Sequence, residues 1–327
     1  MPKKMRMNAA ELGALWMTYH KKTMILRILE YFIETSDQPK AKSLMAGLWE
    51  KLDKKVTQIK KIIENDGATV PSGFAKDDVN LKAPKLFDHG FDIMFCRILK
   101  EISMGMYVLH LTIAYRQDII ELYRDLTELT QTYYQLFTEY LLKEDLLARP
   151  PFTIMPHSTD TINDPHYLKG TNLFGDKRQL NTVEFGYLYH GIETNITGMQ
   201  LMTGFAQCCK DEKVKDYFMK GMELSKHILK GTTNLLLQDN IQVPVTPGGT
   251  VTNSTESPFS ERLMMFCTYL LCGFSLGSQS FGAAFNLRND LILKQGLFGK
   301  DVYEFAREGI KIMVSKGWYP EPPKMDL

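Results

Sequence analysis

Four residues in the second half of the chain have the types and spacing for metal chemistry. His190 and Glu193 are three residues apart, and Glu223 and His227 are four apart. On a helix, either spacing places both side chains on one face. An imidazole and a carboxylate on one face can ligate a divalent ion, and two such pairs on facing helices could enclose it. A helical bundle with a two-metal carboxylate centre usually takes a Glu from each of two helices and a Glu-x-x-His from each of the other two. No Glu-x-x-His occurs in this sequence. Under the internal alignment given below, the first half carries Met17, His20, Glu50 and Lys54 at these positions. An ammonium group and a thioether are poor partners for a hard metal. No resident cofactor is therefore expected; a single degenerate metal site at His190, Glu193, Glu223 and His227 is the alternative.

Other chemistry finds less support. There is no G-x-S-x-G and no P-loop. The glycine pair within Val245–Val251 resembles a phosphate loop, but it follows no strand pattern and opens no helix. Cys96 and Cys267 fall in apolar helical stretches, where a cysteine behaves as a small hydrophobe. Five unpatterned cysteines without a CxxC argue against a disulfide framework and for a reducing, cytoplasmic compartment. Lys plus Arg number 39 and Asp plus Glu 38, so the net charge of +1 leaves no basic face for nucleic acid. Lys3, Lys4 and Arg6 read as a solvated tail. Residues 263–285 carry no charge, a length that could span a bilayer. Their later part is rich in Gly, Ser and Gln, so a buried helix is expected and a transmembrane span is not.

The elements that would position these residues follow from periodicity. Leu12, Leu15, Trp16, Tyr19, Leu26, Leu29 and Ile33 recur at helical spacing. So do three later sets, running from Leu44 to Ile63, Phe91 to Ile113 and Ile119 to Tyr140. Strand alternation is not expected anywhere. The first helix should span about 27 residues, roughly 40 Å. The links near Ser36 and Arg116 are tight, which makes antiparallel neighbours.

The same four helices are expected again after residue 180. Aligning Asn8 with Asn181 pairs Glu11 with Glu184, Gly13 with Gly186, and Asp66 with Asp239. After the loop, Met94-Phe95-Cys96 meets Met265-Phe266-Cys267, and Arg116 and Asp118 meet Arg288 and Asp290. The matches fall at element ends, as they should if one unit is duplicated. Asn8-Ala-Ala-Glu11 and Asn181-Thr-Val-Glu184 have capping-box spacing, so each opens a helix. Metal ligation by Glu11 and Glu184 is the competing role. Gly13 and Gly186 are expected to admit a neighbouring backbone.

Between helices 2 and 3 of each copy, some twenty residues carry Pro, Gly, Ser and Thr (Asp66–Lys85 and Asp239–Pro258). Extended, they reach roughly 60–70 Å, enough to travel the length of the bundle. One long middle crossover is the ferritin-like arrangement. The expected fold is therefore all-α, two tandem ferritin-like four-helix bundles: residues 1–150, a linker 151–179, and 180–327. Gly273, Gly277, Ser278 and Gly282 form a face of small residues on helix 3 of the second copy. Such a face permits close helix approach. It is expected to meet the other half, a protein partner or a second copy of the chain.

The paired helix starts, the Arg-x-Asp turns at 116–118 and 288–290, and the closing Lys316-Gly-Trp-Tyr-Pro-Glu-Pro-Pro323 resemble the tandem proteins classed as domain of unknown function 3231. The resemblance covers nearly the whole chain. It implies two ferritin-like bundles, a spore-forming Gram-positive source and a distant likeness to spore coat protein F. It brings no activity and no catalytic residue. The first copy departs from the closing pattern, with Ala148-Arg-Pro-Pro-Phe152. The expected function is a non-enzymatic structural or interaction protein, spore-associated if the resemblance extends that far. The alternatives are a small-molecule or metal-binding module and, last, a metal-dependent oxidoreductase.

Overall fold

The computed structural model describes residues 5–170, 177–243 and 249–325. Its helices form two sets of four. The first set is α1 (Ala9–Thr35), α2 (Pro39–Asn65), α3 (Phe91–Thr112) and α4 (Gln117–Lys143). The second is α5 (Thr182–Cys208), α6 (Glu212–Gln238), α7 (Glu261–Phe285) and α8 (Asn289–Ser315). In each set the first two helices and the last two form tight antiparallel hairpins. The middle connection is long in both.

Local chemistry sets the helix starts. Asn8 accepts from the Glu11 amide at 2.9 Å, and Glu11 returns a bond to the Asn8 amide at 2.9 Å. Asn181 and Glu184 do the same at 2.9 and 3.1 Å. Each box satisfies two amides that a helix end leaves without partners. Pro39 opens α2, Asp211 caps α6 and Ser260 caps α7.

The two halves share their main core. The largest apolar cluster takes Phe32 and Phe95 from the first half and Phe205 and Met265 from the second. This is why α1 is buried on every side from His20 to Leu26: it packs within its own half and also against Phe266. The crossovers meet each other as well. Strand β1 (Phe87–Asp88) pairs antiparallel with β2 (Thr250–Val251). Val79 bridges Phe259, and Arg262 pairs with Asp78 at 2.6 Å. The expectation of no strand is corrected here. Two-residue ladders have no alternation to detect, and their backbone groups need a partner where the crossovers are buried.

Gly13 and Gly186 also depart from expectation. A Cβ at either would meet nothing within 4 Å, so neither serves a close backbone approach. Among the described residues no helix is long and apolar enough to cross a membrane, α7 included. Lys3 and Lys4 lie outside the described residues, as do Pro244 to Gly248 of the glycine-pair loop and 171–176 of the linker.

Candidate functional site

His190 and Glu193 lie on α5 where it faces α3 of the first half. His190 Nδ1 is 3.1 Å from Ser278 Oγ, and its Nε2 is 3.4 Å from Glu101. Glu193 is 3.6 Å from Arg97, which also reaches Glu101 at 3.3 Å and donates to the Tyr134 hydroxyl at 2.7 Å. Burial pushes the Glu193 carboxyl up from its ordinary value, against the pull of Arg97. These residues form a charge network that ties one half to the other.

Glu223 and His227 lie elsewhere. Glu223 is solvated and pairs with Lys226 at 3.4 Å, and His227 sits edge-on to Phe298. The four residues do not converge. Among the described residues no group of three or more His, Cys, Asp or Glu side chains is arranged to hold an ion. The i,i+3 and i,i+4 spacings were correct for helix faces, but the two faces point to different neighbours.

The small-residue face of α7 divides. Ser278 bonds His190, and a Cβ at Gly282 would collide with the Gln295 amide. Gly273 and Gly277 instead meet nothing within 4 Å. They open onto a groove of about 1210 Å³ lined mainly by apolar side chains. Met17 and Met106 of the first half, Tyr187 of α5, and Phe274 and Phe281 of α7 are among its lining residues. Val108, Leu109 and Phe281, all on its lining, are exposed at 53%, 64% and 60%.

The residues that match between the halves meet at one end of each set. Glu11 accepts from the amides of Tyr115 and Arg116, both at 2.7 Å, while Arg116 pairs with Asp66 and, at 2.7 Å, with Asp118. Glu184 accepts from Leu287 and Arg288 at 3.1 and 2.9 Å, and Arg288 reaches Asp239 at 3.2 Å and Asp290 at 2.9 Å. The capping glutamate thus also caps the turn between the last two helices. Arg178 adds a bidentate pair to Glu184 in the second half at 2.6 and 2.8 Å. Both capping glutamates are therefore engaged by backbone amides of the distant turn, forming a clasp.

The sequence reading missed the most unusual interior feature. Lys21, Lys22 and Lys100 are buried to 1% exposure or less, and no carboxylate pairs with them among the described residues. Lys21 Nζ lies 4.0 Å and Lys22 Nζ 4.8 Å from the Tyr107 ring centroid. Lys21 donates to Met106 Sδ at 3.4 Å, while Lys22 and Lys100 Nζ have no partner. Burial lowers all three, Lys100 to about 8, and Lys100 further lowers Lys21 and Lys22 by repulsion. His110, 3.2 Å from Thr18 Oγ1, is pulled down to about 4 by burial and by Lys21. A signal was present: Lys22 stands seven residues from Leu15 and from Leu29 on the α1 core stripe. In the second half Thr194 and Asn195 replace Lys21 and Lys22 and line a small cavity of about 80 Å³ with Ser225, Thr268 and Cys272.

With this geometry established, the comparisons place the chain. The family model described as protein of unknown function (DUF3231) matches residues 1–158 and again 168–326. The chain belongs to that family, with two tandem copies of its domain. A crystal structure from Bacillus halodurans C-125, described as a candidate spore coat protein, is similar at 17% identity and a TM-score of 0.43. The similarity covers 46% of this chain and 97% of that one. No curated protein matches the chain.

Proposed function

We propose that the protein is a non-catalytic binding scaffold whose working surface is the groove between its halves. The observation that carries this reading is the groove itself: about 1210 Å³, apolar, and lined by both halves. Ligand sites are concave, mostly apolar and placed between helices or domains. Met17 and Met106 give its wall a soft, adaptable character. The two long middle crossovers support a ferritin-like assignment for each half. The buried cysteines fit the same reading, since burial raises Cys96 and Cys267 away from the reactive thiolate.

Native mass spectrometry of the purified chain, with uptake of an apolar fluorescent probe, tests the proposal. One apolar molecule per chain, displaced by the probe, is the expected result. A chain that carries nothing and takes up no probe removes it. Spore association is proposed on the family resemblance alone; a fluorescent fusion that stays outside developing spores removes that part.

A further inference from the structure

Met106 lines the groove, and it is touched from the interior by Lys21, one of three buried lysines without a carboxylate partner among the described residues. Lys21 Nζ donates to Met106 Sδ at 3.4 Å, so a single flexible side chain lies between the groove and this amine, and Lys22 shares the Tyr107 ring with it. Lys22 and Lys100, both wholly buried, offer Nζ atoms with no acceptor. Burial drives such amines towards the neutral form, and an anion placed beside them restores the ammonium and supplies its missing acceptor. Nothing among the described residues supplies that anion, and the second half, which has Thr194 and Asn195 instead, has no need of one.

We propose that the groove binds a long-chain carboxylate, its alkyl chain along the Met17–Phe274 walls and its head group past Met106 on Lys21, Lys22 and Lys100. The proposal rests on the groove reading above and adds the chemistry of the head. A carboxylate offers two oxygens with about four acceptor sites, enough to satisfy amines converging from α1 and α3. An alkyl chain suits an apolar groove of about 1210 Å³, and Met106 is able to swing aside because its thioether arm is unbranched. The occupant is a free acid, since a bilayer lipid would have to leave its membrane to put a head group at this depth.

The test compares a sixteen-carbon carboxylic acid with the alcohol of the same length, by displacement of the apolar probe from the full chain. The acid is expected to bind one per chain and about tenfold or more tighter than the alcohol, the value of one charge-assisted hydrogen bond. Lys22→Met and Lys100→Met keep the side-chain length and remove the amine. Each is expected to fold, to keep the alcohol's affinity and to lose most of the preference for the acid. Equal affinity of acid and alcohol for the native chain overturns the proposal while leaving the groove reading intact, and this comparison needs no variant. Retained preference in both lysine variants also overturns it. Binding of neither ligand overturns the groove reading and the proposal together, as does sedimentation as a dimer that Gly277→Trp dissociates, which assigns the groove to a second copy. Binding only to phosphatidylglycerol vesicles, with no uptake of the free acid, overturns the free-acid assignment.

Discussion

Replacing Glu184 by Ala isolates the clasp. The native carboxylate is fully buried and accepts from the amides of Asn181, Leu287 and Arg288 and from both Arg178 nitrogens. Truncation leaves three backbone donors and one guanidinium without their acceptor. A hydrogen bond to a charged group contributes about 1.5–3 kcal/mol, and water entering the vacated space recovers part of it. The expected loss is about 3–5 kcal/mol, the range for breaking one side of a buried charged pair. Urea denaturation followed by far-UV circular dichroism measures it, with Glu11→Ala as the matched change in the first half. The pH dependence gives a second readout. Burial pushes the Glu184 carboxyl up, but the bonds from Arg178, Asn181 and Arg288 outweigh it and hold it below the usual glutamate range. Its stabilisation is therefore complete above the unfolded glutamate pKa and is lost as pH falls through the lower folded value. The difference between native and Glu184→Ala should shrink in that acid window and stay constant above it. A loss under about 1 kcal/mol at neutral pH would refute the clasp. A chelator that erased the difference would restore the metal-ligand role.

Three further outcomes follow from the packing. Gly204→Ala places a Cβ 2.5 Å from the Phe87 ring of the other half, so it should cost about 1–3 kcal/mol in the same denaturation assay. Gly277→Trp should melt within a few degrees of the native chain, because a Cβ there meets nothing within 4 Å, yet it should weaken uptake of the apolar probe by occupying part of the groove. Glu193→Gln should match or exceed native stability at neutral pH: burial raises the native carboxyl, so its ionisation works against folding as pH rises past the unfolded value. That advantage should vanish in acid, where both side chains are neutral, and a plain loss of stability at pH 7 would show that the Arg97 pair dominates.

The duplication, the two sets of four helices and the capping boxes at Asn8 and Asn181 could be read from residues alone, because helical period and capping chemistry are local. Asn8 and Glu11 fix a helix start whatever surrounds them. The matched Arg116 and Arg288 marked element ends, but their convergence with Glu11 and Glu184 needed coordinates, since those partners lie about a hundred residues apart. The spacing of His190 with Glu193 and of Glu223 with His227 correctly gave shared helix faces and said nothing of what each face meets. Lys21, Lys22 and Lys100 show the limit most directly. Composition places lysine at the surface, and only the packing of α1 against α3, with Met106 and Tyr107 over the amines, shows these three buried. The sequence by itself determined the helices, their order and the repeat, through interactions within a few residues of each other. The tertiary structure alone decided the shared core, the paired crossovers, the groove and the lysines behind it, because each depends on which surfaces of two similar units come together.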